Sequence, residues 1–196
     1  MAKESNFKNM FLCLLAICFG GSAIMGGTYV LTKDTIDAAQ VEKVNTAIAQ
    51  VIPAFDNQPS QQVKTFTVEG KTMKMYPGTQ AGTPVGCAVE ATTSKGFGGN
   101  ITVMIGFLPD GTIYKSALIS HSETPGLGEK LDPRKSPFTL QFEGKNPSAF
   151  RLLVKKDGGD VDAITAATIS SRAFCDVTQS AYNAYMEAQQ KGGLYE

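Results

Sequence analysis

Tryptophan is absent from this 196-residue chain and histidine occurs once, as His121. A single histidine excludes multi-histidine metal centres and makes any serine–histidine hydrolase depend on that one residue. Charge of one sign is also lacking: 18 Lys and Arg balance 18 Asp and Glu, so no strong field draws the protein to nucleic acid or to a generally acidic partner. The four cysteines, Cys13, Cys18, Cys87 and Cys175, form no CxxC pair and no spacing that suggests zinc or an iron–sulfur cluster. Cys13 and Cys18 lie in an apolar run. Cys87 and Cys175 would meet an oxidising compartment if the domain is exported, but spacing alone does not decide whether they pair. No GxGxxG follows a strand, so a nicotinamide dinucleotide site is not expected. Neither an internal repeat nor a low-complexity segment is present, and the length suits one ordinary domain plus something small.

What is present begins with an apolar run. Residues 9–32 carry no charge, and residues 10–31 are long enough to cross a hydrocarbon core of roughly 30 Å as a helix. A cleaved signal peptide is the alternative, with Ser22-Ala23 and Gly26-Gly27 as small residues near a cleavage site. Apolar residues continue through Tyr29-Val30-Leu31 to a Lys-Asp flank, which favours a retained anchor. Lys3 and Lys8 precede the span while Asp34 and Asp37 follow it, so the basic bias puts the N-terminus in the cytoplasm and everything after Leu31 outside. The expected division is residues 1–9 cytoplasmic, 10–31 transmembrane and 32–196 an extracytoplasmic domain.

Residues 34–51 show helical spacing closed by Pro53, and residues 54–64 read as a loop. Strands are expected at residues 63–68, 72–76, 85–92, 101–107 and 112–120, with Asp110-Gly111 after Pro109 turning the last two into a hairpin. Alternation in that hairpin predicts one apolar face. Met73 and Met75 alternate within a strand and read as core. Further short strands are expected at residues 138–142 and 150–155. Residues 168–190 form a last helix with Ile169, Ala173, Phe174, Val177, Ala181 and Tyr185 on one face, ended by Gly192-Gly193. The fold class is α+β: an N-terminal transmembrane helix, then one domain with a largely antiparallel sheet flanked by helices.

Three stretches carry chemistry. Asp162-Ala163-Ile164-Thr165-Ala166-Ala167-Thr168 opens the last helix, where free backbone N–H groups and the positive end of the helix dipole suit a phosphate and a hydroxyl is placed to carry one as an ester. The plain reading of Thr168 is a helix N-cap, with Thr165 as a second cap or a phosphate contact. Asp162 reads equally as a turn or capping carboxylate. The Pro125-Gly126 turn in His121-Ser122-Glu123-Thr124-Pro125-Gly126-Leu127-Gly128 lets backbone approach a flat ligand. Gly96-Phe97-Gly98-Gly99 reads as a bulge or flexible turn, or as a place where Phe97 packs near such a ligand. His121 reads as a polar loop residue rather than a proton donor.

These three blocks, in this order behind an N-terminal anchor, resemble the FMN-binding G subunit of Rnf electron-transport complexes. The similar C subunit of the sodium-pumping NADH:quinone oxidoreductase is the close alternative. The resemblance implies covalent FMN, joined through its phosphate to Thr168 by a flavin transferase that takes the FMN moiety from FAD. On this reading Thr165, Ala167, Ile169 and Arg172 surround the phosphate, with the N–H groups of Ile169, Ser170 and Ser171 and the Arg172 guanidinium as its ligands. Glu123, Thr124, Gly126, Leu127 and Gly128 form the loop over one side of the isoalloxazine ring. Asp162 becomes part of what the transferase recognises. The family usually reads Ser-Gly-Ala-Thr where this chain has Thr165-Ala166-Ala167-Thr168, a departure at Ala166. The implied function is a single-span electron carrier of an inner-membrane complex (ferredoxin:NAD+ in type), a redox subunit rather than a stand-alone catalyst. Its implied partners are the other subunits, the flavin transferase and membrane lipid. A membrane-anchored interaction domain without flavin and a flavin reductase with its own substrate are the competing classes.

Overall fold

The structure, a computed structural model, describes residues 7–68, 70–192 and 194–195. Lys3, on which the orientation partly rests, and Gly193 lie outside the described residues. The chain divides into two compact units, one ending at Glu42 and one running from Lys43.

Helix α1 (Phe7–Val51) is continuous over 45 residues, so the expected span and the helix after it are one element. No proline interrupts the run, and two threonine hydroxyls in it bond back to the preceding turn. Thr28 and Thr32 donate to the Ile24 and Thr28 carbonyls at 2.8 Å each. Among the described residues this is the one helix long and apolar enough to cross a bilayer. Phe11, Leu14, Ile17, Phe19 and Ile24 all lie exposed along it, a surface suited to lipid. The helix stops where Pro53 removes the next N–H, the last bond of this kind running from Ile52 N–H to the Ile48 carbonyl at 3.2 Å.

The second unit is built on five antiparallel strands in sequential order: β1 (Lys64–Val68), β2 (Lys71–Gln80), β3 (Thr83–Thr93), β4 (Ile101–Phe107) and β5 (Ile113–His121). The β4–β5 hairpin forms at the expected residues. Gly111 takes φ +83° and donates to the Leu108 carbonyl at 2.9 Å, while Leu108 N–H meets the Thr112 carbonyl at 2.8 Å.

Both faces of the sheet are covered, whereas alternation points to one. On one face Ile101, Val103, Ile105 and Phe107 of β4 pack with Phe174, Val177, Ala181 and Tyr185 of α2 (Thr168–Gln190), with Met73 and Met75 in the same core. On the other, Ala47, Ile48, Val51 and Ile52 pack on Tyr76, Ala88, Met104 and Ala117. Gly106 makes that second layer possible: a Cβ there would overlap the Val51 carbonyl. Leu118 of β5 faces the α2 side and Ile119 the other, and the β4–β5 register shifts between Thr102 and Val103.

Two expected strands are absent. Pro137–Phe142 is a 3-10 helix, started by proline and capped by Ser136, whose hydroxyl accepts the Phe138 N–H at 3.2 Å. Phe138 and Phe142 meet Phe174 at ring separations of 5.6 and 5.0 Å. Residues 150–155 form only one parallel bridge, Val154 to Val161. Their backbone groups are taken locally: Arg151 N–H goes to the Asp160 carboxylate at 2.8 Å and Lys155 N–H to the Val161 carbonyl at 2.8 Å, around a left-handed Gly158. Helix α2 covers its expected residues, and the Tyr185 hydroxyl fixes it to the hairpin by donating to the Leu108 carbonyl at 3.0 Å.

Candidate functional site

The start of α2 is shaped by a turn just ahead of Thr168. Ala166 adopts φ +63°, and Ala167 N–H closes onto the Ile164 carbonyl at 3.0 Å. Ala167 is the N-cap residue, with no side-chain cap, and the first helical bond is Ser171 N–H to the Ala167 carbonyl at 3.0 Å. Thr168 is therefore the first helical residue and not the cap that its local sequence suggests. The open donors shift with it: among the described residues no acceptor meets the N–H groups of Thr168, Ile169 and Ser170, whereas Ser171 N–H is used. Three N–H groups at the positive end of a 23-residue helix form an anion seat beside the Thr168 hydroxyl.

The preceding residues are held in place from two directions. The Gln141 side-chain amide pairs with the Asp162 backbone, accepting its N–H at 2.8 Å and donating to its carbonyl at 3.1 Å. The Asp162 carboxylate points outward to Lys155 at 2.7 Å, so it does not cap the helix. Thr165 is exposed.

Glu123 joins this helix start to the two glycine-rich loops. Its side chain is buried, with Oε2 accepting the Ser170 hydroxyl at 2.5 Å and Oε1 accepting the Gly98 N–H at 3.2 Å. A Cβ at Gly96 would overlap the Gly99 carbonyl and the Glu123 carboxylate, and one at Gly128 the Glu123 Cβ and Cγ, so the Glu123 side chain fits closely between the two glycines. His121, the last residue of β5 rather than a loop residue, supports the same loop, its Nδ1 accepting the Glu123 N–H at 3.2 Å. Thr124 closes the Pro125-Gly126 turn, its carbonyl accepting the N–H groups of Leu127 and Gly128 at 3.2 and 3.1 Å.

The result is a cleft of about 290 Å³ whose walls include Phe97, Glu123, Thr124, Leu127, Thr168 and Ile169. Phe97, Leu127 and Ile169 are large apolar side chains left exposed at 68, 38 and 47 %. Of the residues expected to contact a phosphate or ring, Ala167, Ile169, Thr168, Glu123, Thr124 and Leu127 line this cleft, while Thr165, Gly126, Gly128 and Arg172 do not. Gly126 supplies the turn with φ +79°, and Gly128 lies beneath Glu123.

Arg172 has a different partner from the phosphate expected for it. Its guanidinium grips Asp157 with two bonds of 2.7 and 2.8 Å, which hold the Asp157 carboxyl below its ordinary range. Both line a second, wider opening of about 700 Å³ on the other side of Ile169, along with Lys95, Arg151 and Asp176. Partial burial pushes the Asp176 carboxyl up, but the Lys95 ammonium at 2.6 Å and Lys71 outweigh it and leave a net lowering. Cys175, also at this opening, is 1 % exposed, and burial pushes its thiol up to about 12, with Asp157 adding to the rise. Cys87 and Cys175 are both free thiols. Sequence alone presents Glu123 as one residue of a turn and hides its pairing with Ser170. The glycines at 96 and 128, where a Cβ would meet that side chain, and at 98, where it would meet the Ser122 carbonyl, are the available signal.

Comparison with known proteins agrees with this layout. Residues 96–183 match the model of an FMN-binding domain, a segment that starts in the Gly96 loop and takes in Glu123 and the opening of α2. The G subunit of the ion-translocating oxidoreductase complex of Shewanella baltica is 35 % identical over 191 residues, spanning 91 % of this chain and 89 % of the relative. The corresponding protein of Vibrio atlanticus is 35 % identical over 175 residues, with 85 and 83 % covered. That of Vibrio cholerae is 31 % identical over 193 residues, with 94 and 92 % covered.

Proposed function

We propose, from the premise that this chain belongs to the G-subunit family of ion-translocating oxidoreductase complexes, that it is the membrane-anchored FMN carrier of such a complex, with FMN esterified to Thr168. The single observation that carries the tether is the position of Thr168. Its hydroxyl stands at the first residue of α2, beside three open N–H groups and inside the cleft that Glu123 assembles.

The fit is chemical as well as spatial. A phosphodiester keeps about one negative charge, which the N–H groups of Thr168, Ile169 and Ser170 and the helix dipole of about half a charge are placed to accept. Thr168 Oγ supplies the nucleophile during maturation. Its bond to the FMN phosphorus forms as the pyrophosphate P–O bond of FAD breaks, AMP leaves, and the hydroxyl proton passes to a base of the transferase. Bound FMN supplies one- and two-electron redox chemistry that the side chains lack. Phe97, Leu127 and Ile169 offer the apolar surface against which a ring is shielded from water. No ionisable residue lies within residues 9–32 apart from two cysteines and a tyrosine, so the anchor holds the carrier at the membrane and leaves any ion pathway to other subunits. In this reading residues 10–31 cross the membrane, the N-terminus is cytoplasmic, and residues 32–196 face outside, where the neighbouring subunits exchange electrons with the flavin.

Co-expression with a flavin transferase, followed by in-gel fluorescence of denatured protein and intact mass, tests the tether. Wild type is expected to carry one FMN, and Thr168→Ala to be dark while remaining folded, since Thr168 caps nothing. Fluorescence that survives Thr168→Ala would overturn the assignment of Thr168, and a dark wild type would overturn covalent attachment.

A further inference from the structure

Among the nine residues lining the Thr168 cleft, Glu123 is the one with an acidic or basic side chain. It is 6 % exposed, and its two oxygens are each met by one neutral donor, the Gly98 N–H at 3.2 Å and the Ser170 hydroxyl at 2.5 Å. Glycine on either side leaves it room: a Cβ at 96 or at 128 would overlap the Glu123 side chain, and at 96 the Gly99 carbonyl as well. Taking a carboxylate out of water is unfavourable, and two neutral hydrogen bonds offset only part of that. An uncharged glutamine would reach both partners without the cost, its oxygen accepting from Gly98 and its Nε2 donating to the Ser170 Oγ.

We propose that Glu123 is the positioning residue of the flavin cleft and that its carboxylate is the fixed negative charge that lowers the flavin's reduction potential. The inference rests on the FMN reading of this cleft. An electron added to the flavin brings negative charge into a cleft whose one charged wall residue is a carboxylate, and like charges at short range in a poorly hydrated site repel more than in water. Charge beside the ring is one of the means by which a protein tunes a flavin. The positive end of α2 opposes this with only about half a charge, and the phosphodiester takes up that positive end. Ser170 commits its proton to Glu123, so it has none for the phosphate, and the anion seat is left to backbone N–H groups.

The test compares full-length wild type, Glu123→Gln and Ser170→Ala, each co-expressed with a flavin transferase, with loading checked by fluorescence and midpoint potentials measured in detergent against reference dyes. Glu123→Gln removes the charge, its amide oxygen still accepting from the Gly98 N–H while its Nε2 donates to the Ser170 Oγ in place of accepting from it. It is expected to raise the ratio of reduced to oxidised flavin at a fixed ambient potential about tenfold, equivalent to about 30 mV for a two-electron couple. Ser170→Ala keeps the carboxylate and is expected to move the ratio less than about threefold, or about 14 mV on the same scale. Loaded proteins with Glu123→Gln inside that threefold band, or Ser170→Ala moving as far as Glu123→Gln, overturn the inference while leaving the FMN reading intact. If Glu123→Gln is not modified, dissociation constants of free FMN, oxidised and dithionite-reduced, on unmodified wild type and variant report the same ratio through a thermodynamic cycle. An unchanged ratio there overturns the inference as well. A wild type without flavin overturns the FMN reading itself.

Discussion

Ser171 and Ile164 lock the turn that precedes α2. The Ser171 hydroxyl accepts the Ile164 N–H at 2.9 Å and donates its own proton to the Ala167 carbonyl at 3.0 Å. One fully buried hydroxyl thus satisfies a backbone donor seven residues away and fixes the direction from which the chain enters the helix.

Ser171→Ala should therefore cost more than the loss of an exposed hydroxyl. It leaves the Ile164 N–H buried without a partner, a penalty of about 1–3 kcal/mol. Urea unfolding of the domain should show a lower midpoint with an unchanged slope. A stability equal to wild type would mean that the bond contributes nothing.

Ala166 holds φ +63°, a region that costs a residue bearing a Cβ about 1–2 kcal/mol. The glycine that the resemblance implies at this place would be free of that cost. Ala166→Gly should stabilise the domain by up to about 1 kcal/mol, because the greater freedom of glycine in the unfolded chain offsets part of the relief. Ala166→Val, β-branched and poorly tolerated at positive φ, should destabilise it and reduce flavin loading. Thermal unfolding of the three proteins should give the order Gly, Ala, Val, and an alanine protein as stable as the glycine one would mean that the left-handed turn carries no strain.

Acid sensitivity should depend in part on Asp132. Its buried carboxylate accepts from the Arg134 Nε and Nη2 groups, at 3.0 and 2.6 Å for the shortest contacts, and this pairing lowers its pKa. A carboxyl with a depressed folded pKa contributes stability that is present above its unfolded value of about 4 and is lost as the pH falls through the folded value. Asp132→Asn should be less stable than wild type at pH 7, and the gap should narrow below about pH 4. Denaturant midpoints from neutral pH down into the acid range provide the check.

The thiols of Cys87 and Cys175 are 0 and 1 % exposed, and burial pushes both up to about 12. Thiol reagents should leave both unlabelled in the native protein at about pH 8 and reach them only after unfolding. Reducing and non-reducing gels should agree. A mobility shift on reduction would show a bridge in place of the two free thiols.

How far the sequence can be read depends on the range of the interactions concerned. The five strands are legible because alternation and glycine punctuation are local, and their ends move only as far as Gln80, Thr93 and His121. Residues 138–142 look like a strand by composition, but Pro137 and the Ser136 cap start a 3-10 turn whose two phenylalanines pack under α2. Residues 150–155 look like another, yet Asp160 and Val161 take up their backbone groups before any sheet edge can. The second covered face of the sheet depends on Gly106 meeting the Val51 carbonyl, a contact between segments far apart in the chain that no local pattern announces.

The site divides in the same way, between what neighbours along the chain dictate and what only folding brings together. An apolar run of anchor length, a hydroxyl at the mouth of a helix and a Pro-Gly turn are properties of adjacent residues. These determined the long apolar helix, the prominence of Thr168 and the presence of a loop near it. Tertiary structure decided that Ala167 rather than Thr168 caps the helix, that Arg172 turns to Asp157, and that Glu123 ends up between Gly98 and Ser170. The physical reason is that a charge finds its partner by distance in space, and a carboxylate can be buried only where donors from separate segments converge on it.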